Sequence, residues 1–400
     1  GERRMSARTI VLLALFAVIA QGVSAQTIEY RCGNYRFTYE DHELDIESIG
    51  TSFMALRAHF TELCGFDPDP EVHFASVRIL PDRSSFDRYL ESRIGETRNQ
   101  YVFLKYGKPE LSELVLYPVG EEKGYEAFAG PSLNRQLFLQ YLYGYVLEPP
   151  VWLRDGFQAW VENLSVDDGD QDGYSPWLET AKNYAMDPEK SLPVRSILLA
   201  ETGTYEAARL YPLSWALVAF FLQTERTGYR RFLHETFAVL ESPDGYNRRT
   251  QEENTRIVHE RFDRTARFAS ADEDFMNWIS GQKTFTELLN AGVAAYTSGR
   301  YAEAEKNLVR ATELQKNDPL PFYYLGLSAY ASGDHDDARM WYLRALDNGA
   351  DAATVHWAIS LTAYAVKDWQ AARLYMEKAR ELNPSRYTEK AENLLRSMPE

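Results

Sequence analysis

The spacing of apolar residues changes along the chain, and each change predicts a different kind of element. In residues 44–63 the apolar positions follow helical spacing, so one face of a helix is apolar. Short runs rich in β-branched and aromatic residues predict strands at residues 35–39, 72–80, 101–106 and 113–117, with a short helix at residues 84–92. This first part of the chain predicts a small mixed α/β layer.

Residues 131–281 have a mostly helical pattern. Residues 133–162 predict an apolar helix, a break at Pro149 and Pro150, and a second amphipathic helix that opens at Trp152. Residues 211–224 are apolar almost all round, which predicts a buried helix. Together with the strands, these helices predict an α+β domain over residues 26–283, made of a small mixed sheet and a helical subdomain.

Residues 284–384 repeat with a period of 34 residues. Gly292 and Gly326 are followed at the same spacing by Ser360, and three more columns keep the register: Tyr296, Tyr330 and Tyr364; Ala304, Ala338 and Ala372; Ala311, Ala345 and Ala379. This period, with small residues where paired helices would cross, is typical of tetratricopeptide repeats. We expect an all-α solenoid of three such repeats, with a capping helix in residues 385–400.

The first 25 residues predict a signal peptide. Arg3, Arg4 and Arg8 precede an apolar run at residues 10–20, and a small-x-small pattern ends at Ala25. The run is too short for a comfortable membrane span, so cleavage after Ala25 is expected, with an uncleaved anchor as the alternative. No later segment is long and apolar enough to cross a bilayer. The mature protein is expected to be exported, to the periplasm or the extracellular side of a bacterial cell envelope.

Composition and charge narrow the class of partner. A hydrophobic share of 45% is that of a folded chain, and a net charge of −16 argues against binding to nucleic acid or anionic membranes. Cys32 and Cys64 are the only cysteines. In an exported protein such a pair is expected to form a disulfide, here between the first strand and the end of the first helix.

Three motifs before the repeats resemble the peptidase MA-like domain, a gluzincin family of zinc metallohydrolases often found in exported bacterial proteins. Residues 152–157 (WLRDGF) are similar to the family's W-L-N-E-G-[FL] run, in which the glutamate binds zinc. Residues 211–217 resemble its downstream Y-x-x-S-W-A-L helix, and residues 77–90 resemble its upstream strand and helix. The resemblance implies a gluzincin-like fold for residues 26–283.

The same resemblance implies that the catalytic positions are replaced. Gluzincins carry H-E-x-x-H on the first helix, where two histidines bind zinc and the glutamate is the general base. The positions of the first ligand, the base, the second ligand and the third ligand hold Arg135, Gln136, Leu139 and Asp155. No histidine lies between His73 and His234, so we expect no metal, no cofactor and no catalysis. We also expect Arg135 and Asp155 to form a salt bridge where zinc would lie, because a buried arginine needs a carboxylate partner.

The repeats predict a concave groove lined by the first helix of each unit. In this register the residues directed towards it are Tyr323, Leu327, Tyr330, Trp357, Leu361 and Tyr364. Aromatic side chains suit the binding of a peptide or helix, although about half of these six are expected to belong to the core between repeats.

The function expected is that of an exported, non-catalytic scaffold or adaptor, which binds a protein or peptide partner through the groove. Two alternatives remain open: an active zinc-dependent peptidase with an atypical site, and a periplasmic chaperone-like binder of unfolded proteins.

Overall fold

The computed structural model describes residues 27–40, 43–66, 73–128, 130–167, 169, 176–265 and 268–399. The predicted signal peptide at residues 1–25 lies outside the described residues.

Five strands form one mixed sheet in the order β1-β2-β3-β5-β4. β1 and β2 form an antiparallel hairpin, β2, β3 and β5 run parallel, and β4 is an antiparallel edge strand. The strands are β1 (Ile28–Cys32), β2 (Tyr35–Tyr39), β3 (Ala75–Ile79), β4 (Val102–Leu104) and β5 (Glu113–Leu116). The small mixed sheet is therefore confirmed, and β1 is an additional edge strand that the sequence pattern did not predict.

Helices cover both faces of the sheet, and capping residues set where they begin. α1 (Ile46–Cys64) begins where the Asp45 carboxylate accepts a hydrogen bond from the Ser48 N–H at 3.0 Å. α2 (Arg83–Ile94) begins in the same way at Asp82. The apolar face of α1 packs on one face of the sheet in the main core, whereas α2 covers the other face in a smaller cluster. The helical spacing in residues 44–63 thus correctly predicted α1.

The two cysteines are free thiols, which corrects the expected disulfide. The Cβ of Cys32 lies 2.9 Å from the position that a Cβ on Gly50 would occupy, so Cys32 contacts the first half of α1. Cys64 is the last residue of α1, about 21 Å further along the helix axis. A disulfide needs Cα atoms within about 7 Å, so these two thiols cannot pair in this fold.

Eight helices of the described chain follow the sheet and form the helical subdomain. Their bounds are α3 (Pro131–Tyr143), α4 (Val151–Trp160), α5 (Trp177–Met186), α6 (Val194–Leu198), α7 (Ala207–Gln223), α8 (Thr227–Leu240), α9 (Gln251–Thr265) and α10 (Phe268–Gly281). Every residue from 212 to 221 in α7 is buried, as its uniformly apolar pattern predicted. α7 therefore forms the centre of this subdomain, and α4 and α5 pack against it.

Seven further helices form an array of antiparallel pairs. The pairs are α11 (Phe285–Thr297) with α12 (Tyr301–Leu314), α13 (Pro319–Ser332) with α14 (His335–Asp347), and α15 (Ala352–Ala365) with α16 (Trp369–Leu382), followed by α17 (Pro384–Leu395). The turn within each pair is left-handed at the same position, with φ of 75° at Gly299, 87° at Gly333 and 62° at Lys367. The period of 34 residues therefore preserves this backbone conformation even where glycine is absent.

Lys182 of α5 joins the helical subdomain to the array. Its Nζ donates to the Gln282 carbonyl at 2.7 Å and to the two carboxylate oxygens of Glu287 at 2.8 and 2.9 Å. The same carboxylate accepts from the Thr284 N–H at 3.0 Å, and Thr284 Oγ accepts from the Glu287 N–H at 3.1 Å, which forms a capping box at the start of α11. One acidic side chain thus both begins the array and binds the preceding subdomain.

Candidate functional site

Two short helices, α3 and α4, carry the four positions that the gluzincin resemblance singles out. α3 opens at Pro131, and α4 opens directly after Pro150, so each helix starts where a proline is tolerated. Gly156 lets α4 approach α7 closely, because an added Cβ would lie 2.5 Å from the Ser214 carbonyl oxygen and 2.6 Å from Val218. This close approach brings Asp155 beside the N-terminal half of α7.

Arg135 and Asp155 do not pair with each other, which corrects the predicted salt bridge. Arg135 Nη1 lies 3.2 Å from Glu162 Oε1, and Arg135 Nη2 donates to Gln100 Oε1 at 2.6 Å. Asp155 Oδ1 instead accepts from Arg154 Nε at 2.7 Å. The half-buried arginine does have a carboxylate partner, but that partner, Glu162, lies in the short 3-10 turn Val161–Asn163 that directly follows α4.

Glu162 is the buried acid of this region. Its side chain is 6% exposed, and besides Arg135 it accepts from Trp177 Nε1 at 2.9 Å and from the Tyr211 hydroxyl at 3.4 Å. Burial raises the pKa of Glu162, and the hydrogen bonds from Trp177, Arg135 and Tyr211 partly offset that rise. Sequence reasoning did not identify Glu162, which lies in the turn after the predicted second helix.

Tyr211 of α7 is the point at which these groups converge. Burial raises its pKa, the nearby charges of Glu162 and Asp155 raise it further, and Arg135 opposes the rise. The family positions of the first and third ligand are thus brought close to one hydroxyl. Within the described ranges, however, no three His, Cys, Asp or Glu side chains are grouped closely enough to hold a metal ion.

Gln136, at the position of the general base, binds the edge of the sheet. Its Oε1 accepts a hydrogen bond from the Phe103 N–H of β4 at 2.8 Å. That N–H belongs to an edge strand, where unpaired backbone groups would otherwise be open to a partner strand. Leu139, one turn further along α3, is half-buried.

The second candidate site is the groove that the sequence predicts along the first helices of the array. Glycine permits close pairing within the units: a Cβ on Gly292 would lie 2.5 Å from Leu308 Cγ, and one on Gly326 would lie 2.4 Å from the Tyr342 ring. The six predicted groove residues are all half-buried, so each keeps part of its surface accessible: Tyr323, Leu327, Tyr330, Trp357, Leu361 and Tyr364.

Several of the six are also engaged in packing, as the sequence pattern suggested. Trp357 stacks on Tyr387 of α17 with ring centroids 5.3 Å apart, and Tyr323 lies 5.8 Å from the buried Tyr342 ring. Leu361 instead belongs to none of the apolar clusters that the described residues form. Leu361 is thus the member of the set whose exposed surface is least committed to the core.

The two helices that carry the six predicted groove residues are free of formal charge. Neither α13 nor α15 contains an aspartate, glutamate, lysine or arginine. Burial lowers the pKa of His356 in α15, and the nearby Lys378 lowers it further, so this histidine is neutral at neutral pH. The six predicted groove residues therefore lie on helices without acidic or basic side chains, although Arg386 of α17 lies over the Tyr387 ring on which Trp357 stacks.

Comparison with known families identifies the array. Residues 289–353 and residues 325–387 each match the family model of the tetratricopeptide repeat. The C-terminal helices are tetratricopeptide repeats. The two matches overlap and together extend from α11 into α17, in agreement with the predicted period. A search of curated proteins finds no match to the chain.

Tetratricopeptide repeats generally bind protein partners, so the comparison suggests a role in protein–protein interaction. In the described part of the chain, no helix has both the length and the apolar character that crossing a membrane requires.

Proposed function

We propose that this protein is an exported, non-catalytic interaction scaffold whose tetratricopeptide groove binds an apolar segment of a protein partner. The observation that carries the proposal is the composition of α13 and α15, two charge-free helices whose predicted groove residues are half-exposed aromatic and leucine side chains. Burying a charged partner residue against such a surface would cost its hydration without a compensating ion pair. The preferred partner segment is therefore apolar or aromatic.

In the same proposal, residues 26–283 form an inactive gluzincin-like domain. Arg135 at the first ligand position is a permanent cation, which would repel zinc and is already paired with Glu162. Gln136 at the base position accepts no proton and is occupied by the β4 backbone. Both side chains thus serve packing and hydrogen bonding within the domain, which supports a role in holding the fold together.

Binding to a peptide library distinguishes specific recognition in the groove from non-specific binding. We expect the full chain to select apolar or aromatic peptides and Leu361→Asp to lose that selection, because it buries a charge in the groove. Leu374→Asp is the matched control, since Leu374 is 51% exposed on α16 of the same repeat, and it should bind as the wild type does. Equal loss in both variants, or none in Leu361→Asp, would contradict groove binding.

Metal content and binding breadth test the two alternatives. Stoichiometric zinc in the purified protein, lost in Asp155→Asn, would favour an atypical zinc peptidase over a scaffold. Similar affinity for many unrelated unfolded chains would favour a chaperone-like binder. We expect neither result.

A further inference from the structure

Arg57 is a buried cation in the middle of α1. Its relative exposure is 4%, and its Nη2 donates to the His73 carbonyl at 3.3 Å and to the Tyr145 hydroxyl at 3.2 Å. The guanidinium carbon lies over the rings of Tyr35, Tyr141 and Tyr145, at 6.0, 5.0 and 5.9 Å from their centroids. Arg57 is thus held by carbonyl and aromatic groups that carry no formal charge.

In the described part of the chain the hydrogen bonds of Arg57 go only to uncharged groups, and its buried Nε has no hydrogen-bond partner. Taking a guanidinium out of water costs several kcal/mol, whereas a cation–π contact typically returns about 0.5–2 kcal/mol. Three tyrosine faces therefore offset part of the cost and leave the positive charge uncompensated. Buried charges are normally paired, so we expect a negatively charged group beside Arg57.

A small cavity adjoins this guanidinium. It has a volume of about 30 Å³, is partly open to solvent, and is lined by Arg57, His73, Phe103, Gln140 and Gly144 among others. Gln140 is 5% exposed. Its Nε2 donates to the Ser76 carbonyl at 2.7 Å, whereas its buried Oε1 has no hydrogen-bond partner. Two of the lining residues thus carry an unmatched polar atom, a donor on the cation Arg57 and an acceptor on Gln140.

We propose that this cavity binds a small monovalent anion, a halide or a small carboxylate, against Arg57. A water-sized group needs about 10–15 Å³ measured in this way, so the cavity holds an anion and a water together, or a carboxylate group alone. A water beside the anion would donate to Gln140 Oε1 and thereby satisfy the second unmatched atom. One guanidinium compensates one negative charge, and this favours a monovalent ligand over a divalent one.

Thermal unfolding in different salts tests the site. An anion that binds only the folded state raises the melting temperature in proportion to the logarithm of its concentration above the dissociation constant. We expect sodium chloride and sodium formate, tested separately from 1 to 100 mM, to raise the melting temperature of the wild type by several degrees more than that of Arg57→Met. Comparing the melting temperatures of the wild type and Arg57→Met at the same salt concentration removes general salt effects. The responses to chloride and to formate distinguish a halide site from a carboxylate site.

Arg93→Met is the matched control. Arg93 is exposed and stacks over the Tyr89 ring at 5.1 Å, so its loss should leave the anion response unchanged. Equal responses of wild type and Arg57→Met would overturn the proposal.

A crystal soaked in sodium bromide provides a readout that needs no variant. We expect an anomalous peak for bromide within about 3.5 Å of the Arg57 guanidinium, and its absence together with an absent formate response would overturn the site. Asp67, Asp69 and Glu71, which lie outside the described residues, are the internal alternative source of negative charge. An anion response that appears only after all three are neutralised would assign the counter-charge to them instead.

Discussion

Gly326 lies where the two helices of the second tetratricopeptide repeat meet, and replacing it with alanine tests the packing of the whole array. A Cβ at this position would lie 2.4 and 2.5 Å from two ring carbons of Tyr342. Tyr342 is 1% exposed in the centre of its cluster, so the ring has no room to withdraw. The helices must therefore move apart, which opens the core between the repeats.

The expected magnitude is the balance of two terms. Overpacking of a well-packed core typically costs about 1–3 kcal/mol, whereas alanine is favoured over glycine inside a helix by about 1 kcal/mol. We expect Gly326→Ala to lower the free energy of unfolding by up to about 2 kcal/mol, the difference between these two terms. Gly281, which ends α10 and has nothing within 4 Å of its added Cβ, is the matched control, and Gly281→Ala should be neutral or slightly stabilising.

Urea unfolding followed by circular dichroism measures the difference. The equivalent positions in the third repeat hold Ser360 and Met376, a larger residue opposite a flexible one. Tyr342→Met should therefore relieve the clash, so that the double-mutant cycle with Gly326→Ala gives a favourable coupling of about 1–2 kcal/mol. A Gly326→Ala variant that is more stable than the wild type by the full helix-propensity gain of about 1 kcal/mol would refute the close approach of these helices.

Three further outcomes follow from particular residues. Lys367→Gly should raise the free energy of unfolding by roughly 1 kcal/mol in urea titrations, because a left-handed conformation strains lysine but not glycine. Burial would raise the pKa of Glu287, but the hydrogen bonds from Lys182 and the Thr284 N–H lower this pKa overall. The ionised Glu287 side chain therefore stabilises the folded protein above the pKa of the unfolded state, and this stabilisation is lost as pH falls through the folded pKa. Glu287→Gln should flatten the acid side of a melting curve measured from pH 3 to 7. Burial raises the pKa of the Cys64 thiol, so thiol reagents should react with it only on unfolding, and reductant should leave the melting temperature unchanged.

The repeat array could be predicted because similar residues recur at the same positions every 34 residues. Each unit supplies its own small residue at the helix crossing and its own left-handed turn, so Gly292, Gly326 and Ser360 define the fold locally. The burial of α7 could also be predicted from its sequence, because a helix that is apolar on all sides is stable only when it is surrounded by other elements. Local patterns thus determined which elements form and roughly where they end.

Pairings between elements were less predictable. Asp155 lies in α4 and Glu162 in the 3-10 turn after it, and sequence spacing alone does not decide which acid reaches Arg135. The packing of that turn against α3 places Glu162 beside Arg135. The pairing of Cys32 with Cys64 failed for a related reason, because the sequence does not reveal which half of α1 the β1 hairpin contacts.

The ion pair of Arg135 with Glu162 gives the sharpest test of the proposal that Arg135 stabilises the fold. Arg135→Met would leave a carboxylate that is 6% exposed without its cation, and breaking a buried pair typically costs about 3–5 kcal/mol. Burial already raises the pKa of Glu162. The loss of stability caused by an ionised, unpaired Glu162 is therefore absent below the unfolded pKa, where the side chain is neutral, and develops as pH rises through the folded pKa. Urea titrations at pH 7 and pH 4.5 should therefore show a smaller loss at the lower pH.

Adding Glu162→Gln to Arg135→Met should restore much of the stability lost at pH 7, because a neutral amide keeps hydrogen bonds without a buried charge. Arg154→Met is the comparison at the neighbouring pair, where Asp155 is 13% exposed and would also lose its partner. If Arg135→Met proved as stable as the wild type at pH 7, the arginine would not be compensating Glu162. The proposal that this side chain maintains the fold at a former ligand position would then fail, whatever the groove of the repeats binds.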